Sequence, residues 1–266
     1  MTTPSALIKV MSDAVRKAAR GLTRDFGEVA ELQVSKKGPA DYVSAADIKS
    51  EQVMFEALAA ARPGYGFLGE ERGLIPGTDK THTWIVDPLD GTTNFLHGIP
   101  QFAIAIALER EGAVIAGLVY NPASEEMFIA EKGKGAFMNE QRIRVAGRKR
   151  LADAVIACGL PHIGRGDLVL ARQETGAMQE QVAGLRRFGA AALDLAWVAA
   201  GRLDGYWERD IKPWDMAAGF ILVREAGGYI SDCDGGDDMF AKGHVIAGNE
   251  AIQKELLAVL KAAGKV

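Results

Sequence analysis

The spacing of apolar residues changes period several times along the chain. Between residues 6 and 22, Leu7, Met11, Ala14, Ala18 and Leu22 recur on one face of a 3.6-residue repeat, with Lys9, Asp13 and Lys17 elsewhere, which predicts an amphipathic helix. The stretch KKGPADYVS follows, and its Gly38-Pro39 pair and its charges, Lys36 and Lys37, read as a loop. Ser44-Ala45-Ala46-Asp47 fits a capping box, opening a helix that runs to about Arg62 and stops before Pro63-Gly64. Gly66, Phe67 and Leu68 read as a short buried strand with Glu70 and Glu71 at its end, and GLIPGTDKTHT as a turn-rich segment. Trp84-Ile85-Val86 is a second apolar, β-prone run. Pro88 has no N–H to give to an inner strand, so the chain is expected to leave the sheet there. Four further runs, FAIAIALE, AVIAGLVYN, EEMFIAE and GAFMNEQRIRV, are separated by short turns and predict an antiparallel meander.

After residue 150 strand and helix patterns alternate. VIACGL, GLRRFG, DGYWE, GYISD and HVIAG read as strands. Residues 168–182, the stretch AALDLAWVAAGR, residues 213–225 with Pro213 near the first turn, and residues 251–263 read as helices. No internal repeat and no Gly/Ser/Pro-rich linker divides the chain. The expectation is one compact unit over residues 1–266, with a first α+β half to about residue 150 and a second α/β half from 151.

Composition narrows the classes of function. With 266 residues, 48% of them hydrophobic, the chain can bury a large core. A net charge of −4 gives no general attraction to nucleic acid or to an anionic membrane. No apolar run approaches the roughly 18 residues of a membrane span, and residues 1–15 lack a signal-peptide core. Cys158 and Cys233 make no disulfide framework and read as free thiols in a reducing cytoplasm. The basic run at residues 142–150 (Arg142, Arg144, Arg148, Lys149, Arg150) is most simply a solvated face, but it is the one feature that would support contact with RNA.

The chemistry concentrates in WIVDPLDGTTNFL, residues 84–96. Asp87 and Asp90 follow the strand, Gly91 allows a sharp turn, and Thr92, Thr93 and Asn94 can open a short helix. Carboxylates without basic neighbours suit a hard cation such as Mg²⁺, and free N–H groups suit a phosphate. A plain surface turn with two solvated aspartates would look the same over DPLDG alone. In the same way Asp47 can be read as a helix-capping residue, and Asp215, in KPWDMAAG, as a first-turn acid facing the helix dipole.

The longer string WIVDPLDGTTNF resembles the signature of the inositol monophosphatase family of Mg²⁺-dependent, lithium-sensitive phosphatases. The similarity runs from about Lys36 to Gly248 and includes Trp214-Asp215. The resemblance implies a layered αβαβα sandwich of the inositol monophosphatase and fructose-1,6-bisphosphatase type. It implies metal ligands at Glu70, Asp87, Asp90, Asp215 and the carbonyl of Leu89, holding two or three Mg²⁺ ions. Glu70, with a Thr92–Asp47 pair, would position the attacking water. Asp90, Gly91, Thr92, Gly189, Ala190, Ala191 and Glu208 would contact substrate, the loop at residues 36–44 would lie over the site, and the protein would be a homodimer. Many members carry Ser or Thr where Ala190 stands, and Thr where Ala46 stands; at Ala190 one hydroxyl contact is missing.

The residue types make sense together. Two carboxylates about 4 Å apart repel by roughly 4 kcal/mol at an effective dielectric near 20, so four acids beside a phosphate require cations. No cysteine or histidine sits in a phosphate-cradling motif, which leaves direct attack by metal-activated water. The implied substrate is myo-inositol 1-phosphate or a similar small sugar or polyol phosphate. Histidinol phosphate, a fructose bisphosphate or an adenosine bisphosphate are the alternatives within the class. An RNA- or protein-binding role through residues 142–150 and Arg186-Arg187 is the alternative outside it.

Overall fold

A computed structural model describes residues 5–27, 34–38 and 41–264, the side chains of residues 27–44 excepted. Helix α1 (Ala6–Gly27) runs a turn beyond its predicted end. The stretch expected to be a loop instead carries two paired strands, β1 (Val34–Gly38) and β2 (Asp41–Ser44), with residues 39 and 40 outside the described residues. Helix α2 (Ala45–Ala61) follows, and the side chain of Ser44, the predicted cap, lies outside the described residues. Then come β3 (Gly66–Gly69) and β4 (Gly73–Ile75), the latter inside the segment read as turns. Strand β5 (His82–Asp90) is followed by a short helix, α3 (Thr92–Leu96).

The meander forms as expected, with β6 (Ala103–Arg110), β7 (Ala113–Asn121), β8 (Glu126–Glu131), β9 (Gly135–Met138) and β10 (Gln141–Ile143). The last run is a hairpin of two strands, because Asn139 and Glu140 both take positive φ (44° and 70°), as a tight hairpin turn requires. Eight strands lie in the order β10-β9-β8-β7-β6-β5-β3-β4, and only β3 and β5 run parallel.

The second half supplies β11 (Val155–Cys158), α4 (Leu168–Gln179), β12 (Gly184–Arg186), α5 (Ala191–Ala199), β13 (Gly205–Glu208) and α6 (Pro213–Glu225). It continues with β14 (Tyr229–Ser231), α7 (Met239–Lys242), β15 (Val245–Gly248) and α8 (Glu250–Ala263). Its sheet has the order β12-β11-β13-β15-β14.

Side-chain alternation sorts the strands between layers. On β6, Ile104, Ile106 and Leu108 join the apolar cluster of α1 and α2, whereas Ala103, Ala105 and Ala107 join a different cluster with α5 and α6. The second sheet divides the same way. Ala157, Tyr206, Val245 and Ala247 face α5 and α6, and Ile156, Cys158, Trp207 and Ile246 face α4 and α8. The result is helices, sheet, helices, sheet, helices: the αβαβα sandwich. α5 and α6, buried between two sheets, are accordingly apolar nearly all round. No described helix is long and apolar enough to cross a membrane. Cys158 and Cys233 are free and buried, and burial pushes both thiols up to about 12.

Two arginines of the basic run have ion-pair partners while staying more than half exposed. Arg148 pairs with Asp204 at 3.1 Å and Arg150 with Asp153 at 3.1 Å.

The first sheet and α6 approach closely at Gly117 on β7. A Cβ there would stand 2.4 Å from Ile221 Cγ2 and 2.8 Å from the Ala218 carbonyl oxygen. Gly117→Ala should therefore wedge α6 away from the sheet and cost about 1–3 kcal/mol despite the gain in strand propensity. Chemical denaturation checks this; a variant as stable as the parent would show that the layers can part freely here.

Candidate active site

β5 does not end at Pro88 as its sequence predicts. Asp87 pairs with Ala105 and Asp90 with Ala103, so three steps along β5 oppose two along β6. That is a β-bulge, and it shifts the side-chain alternation by one. In a regular strand Asp87 and Asp90 would point to opposite faces. The extra residue brings both to the side of the sheet on which Ala103 and Ala105 meet α5 and α6, while Leu89 packs with Val86 on the other.

The bulge is tolerated because its backbone groups are satisfied. Pro88 has no N–H, and its carbonyl accepts from Ser50 Oγ at 2.9 Å. Leu89 N–H donates to Asp87 Oδ1 at 3.0 Å. The Leu89 carbonyl and Asp47 Oδ1 each lie 3.0 Å from Thr92 Oγ1, within reach of its single proton. Gly91 follows at φ +86°, where a Cβ would stand 2.9 Å from the Gln101 carbonyl oxygen, so both conformation and space call for glycine.

The second half is tied to this turn at two points. Asp90 Oδ1 accepts from Ala191 N–H at 3.1 Å and Oδ2 from Ala192 N–H at 2.8 Å, which makes Asp90 a cap for α5 supplied from another element. Asn94 Nδ2 donates to the carbonyls of Gln101 at 2.8 Å and Phe188 at 2.7 Å, holding the segment that enters α5. Asp215 occupies the first turn of α6, where its Oδ2 accepts from Lys212 N–H at 2.6 Å. Glu208 ends β13 and accepts from the Tyr206 hydroxyl.

One cleft collects these residues. Glu70, Asp87, Leu89, Asp90, Gly91, Thr92, Gly189, Ala191, Glu208 and Asp215 all line it. Ala190 is buried behind Ala191, and Asp47 is buried behind Thr92, reaching the cleft through the Thr92 hydroxyl. The turn after β3 is held by Glu51, fully buried on α2, whose Oε2 accepts from Glu71 N–H at 2.8 Å. Residues without an expected role at the cleft also face it: Arg165, Asp194 and Arg187, the last read only as half of a basic pair. Asp194 was legible as a lone acid in the apolar run AALDLAWVA; the two arginines carry no such signal.

The acids raise one another. Burial, then Glu70, Asp90 and Asp215, push Asp87 well above the usual carboxylate range. Burial and Asp215 do the same to Asp90. Burial raises Asp215 against the opposing Lys212 hydrogen bond, and raises Glu208 to about 7. The carboxylates and the Leu89 carbonyl offer oxygen donors, which fit a hard divalent cation. Among the described residues no three His, Cys, Asp or Glu side chains stand close enough together to form a ready-made metal cage.

The chain matches the model of the inositol monophosphatase family over residues 3–265. It is 60% identical to an inositol-1-monophosphatase of Mesorhizobium japonicum, with 97% of each chain covered. It is 41% identical to a protein of Pseudomonas aeruginosa named Nus factor SuhB, with 96% of each covered. The crystal structure of the extragenic suppressor protein suhB of Bartonella henselae superposes with a TM-score of 0.95 at 56% identity, covering 97% of this chain and 99% of that one. With its fold, its bulged Asp87–Asp90 strand and a family match over nearly its whole length, the chain belongs to the inositol monophosphatase family, a family of phosphatases.

Proposed function

We propose that the cleft hydrolyses a small polyol phosphate, inositol monophosphate foremost, and that the two halves act as one unit because the site draws on both. The observation that carries this reading is the gathering of four mutually repelling acids, Glu70, Asp87, Asp90 and Asp215, in one cleft beside the Thr92–Asp47 hydrogen bond. The family is generally Mg²⁺-dependent, and the donor set fits that ion. The four carboxylates and the Leu89 carbonyl would hold two or three Mg²⁺. When bound, the metal supplies a lowered water pKa and charge neutralisation at the phosphate and the departing alkoxide.

The chain's own residues then orient the reactants. Thr92, with its hydroxyl directed by Asp47, and Glu70 position the attacking water. The N–H groups of Gly91 and Thr92 hold phosphate oxygens. Asp90, Glu208 and the segment Gly189-Ala190-Ala191 meet the alcohol half of the substrate. Arg165 and Arg187 line the same cleft and offset its negative charge.

Histidinol phosphate, a fructose bisphosphate and an adenosine bisphosphate remain the competing substrates. Binding of RNA or a protein finds less support, since Arg187 lines the cleft and the 60% identical relative is named an inositol-1-monophosphatase. Cytoplasmic location and a homodimer complete the proposal. A monomeric mass in sedimentation would overturn the dimer.

Phosphate release across a panel of phosphomonoesters tests the function. It should vanish with chelator, return with Mg²⁺ and fall with Li⁺; full activity after exhaustive metal removal would refute the mechanism. In the same assay Thr92→Ala and Asp47→Asn should each lower kcat strongly while the stabilisation of the fold by Mg²⁺ persists. If Asp47 only supports its helix, Asp47→Asn should instead cost about 1 kcal/mol of stability and leave kcat unchanged.

The raised carboxyls predict a pH effect. Without metal, Asp87, Asp90, Asp215 and Glu208 keep protons that the unfolded chain has released. Their contribution to stability is complete below the unfolded carboxyl range, about pH 4, and is lost as pH rises through the folded values, Glu208 at about 7. Asp79 and Asp232, held down near 2, change below that window. In chelator the thermal midpoint should thus fall between pH 5 and 8, and Mg²⁺ should restore most of the loss. A chelated midpoint that is flat or rising over that interval would contradict the charge account of the cleft.

A further inference from the structure

Asp194 is one of the acids of the cleft, with Asp167, Glu174 and Asp210, to which the proposed reaction gives no task; Asp167 caps α4 and Glu174 pairs with Arg209. Asp194 sits in the first turn of α5, three residues after Ala191, on a helix otherwise made of Ala, Leu, Trp and Val. It is 1% exposed, yet it lines the cleft. Its Oδ1 is buried without a hydrogen-bond partner among the described residues. A buried oxygen left unpaired is destabilising, and an apolar helix has no structural need of a carboxyl at this position. Within the cleft its charged neighbours are Asp90, Glu208 and Arg187. Glu208 is the group proposed above to meet a substrate hydroxyl, so Asp194 lies toward the end of the cleft that receives the alcohol.

We propose that Asp194 is a specificity-determining residue: its unpartnered oxygen bonds a substrate hydroxyl adjacent to the one met by Glu208. Two carboxyl groups beside each other select an alcohol with neighbouring hydroxyls. The inference rests on the phosphatase reading and narrows it to phosphates of vicinal polyols. It disfavours histidinol phosphate, whose alcohol half has no such pair. Ala190 bears no hydroxyl, so a third contact of this kind is missing from the same segment. The selection falls on the two acids.

The test pairs enzyme variants with substrates lacking one hydroxyl at a time. Wild type, Asp194→Asn, Asp194→Ala and Glu208→Gln are assayed with Mg²⁺ on myo-inositol 1-phosphate and its single-deoxy analogues, with the thermal midpoint of each protein recorded. For wild type, removal of the hydroxyl read by Asp194 should lower kcat/KM roughly tenfold to a hundredfold, chiefly through KM. Asp194→Asn and Asp194→Ala should lose that discrimination and retain the one due to Glu208, and Glu208→Gln should show the reverse. A purely structural Asp194 would lower the midpoint and depress all substrates in equal proportion, which would overturn the inference. So would a folded Asp194 variant that discriminates as wild type does. Should neither variant fold, discrimination by wild type at no more than one hydroxyl would overturn it. A wild type that releases phosphate from no member of the set would instead overturn the phosphatase reading, and this inference with it.

Discussion

The contact on which the site depends is the pair of hydrogen bonds from the first turn of α5 to Asp90. One carboxylate closes the end of β5 and caps a helix from the other half of the chain. The partial positive charge of the helix terminus offsets part of the repulsion that Asp90 feels from Asp215. The same contact brings Asp194 to the cleft, three positions along α5 from the first N–H that Asp90 accepts. Asp90 therefore couples assembly of the sandwich to assembly of the site, and neither can be displaced without the other.

The layers explain why so many acids meet at one edge. Acids at the ends of β3, β5 and β13 meet acids in the first turns of α5 and α6. The alanine face of β6 keeps the middle helices close to the first sheet, while its isoleucine and leucine face fills the wider space under α1 and α2. The close approach at Gly117 serves the same end, since α6 carries Asp215 in its first turn. The affinity of the cleft for cations and the tight packing of its scaffold are thus linked.

Elements with strong periodicity were legible in the sequence. α1 and the meander stand where hydrophobic spacing puts them, because burial of one face enforces that spacing, whereas α2 and α6 were legible from the Pro63-Gly64 break and from Pro213 in a first turn. β4 was missed, being a three-residue edge strand with little burial to mark it. The exit at Pro88 was misread. Proline forbids a ladder bond, but Ser50, distant in sequence, satisfies its carbonyl, and no local rule conveys that. Resemblance to the family named ten of the residues that line the cleft, and placed with them Asp47 and Ala190, which lie behind it. The charge coupling, the capping of α5 by Asp90 and the partnerless oxygen of Asp194 arise only when the halves meet, so no linear pattern holds them.

The bulge at Asp87–Asp90 has a meaning for how such a site can vary. It acts as a phase shift in the strand: one surplus residue converts an odd spacing into a same-face pair. The facing of the two acids thus depends on the surplus residue and the bulge occurring together rather than on the identity of Pro88 or Leu89. A single-residue deletion would remove both at once and leave the acids two apart on one face of a regular strand, but without the kink that presents the Pro88 carbonyl to Ser50 and the Leu89 carbonyl to Thr92. What the surplus residue adds is therefore a set of backbone groups turned out between two acids that would share a face without it.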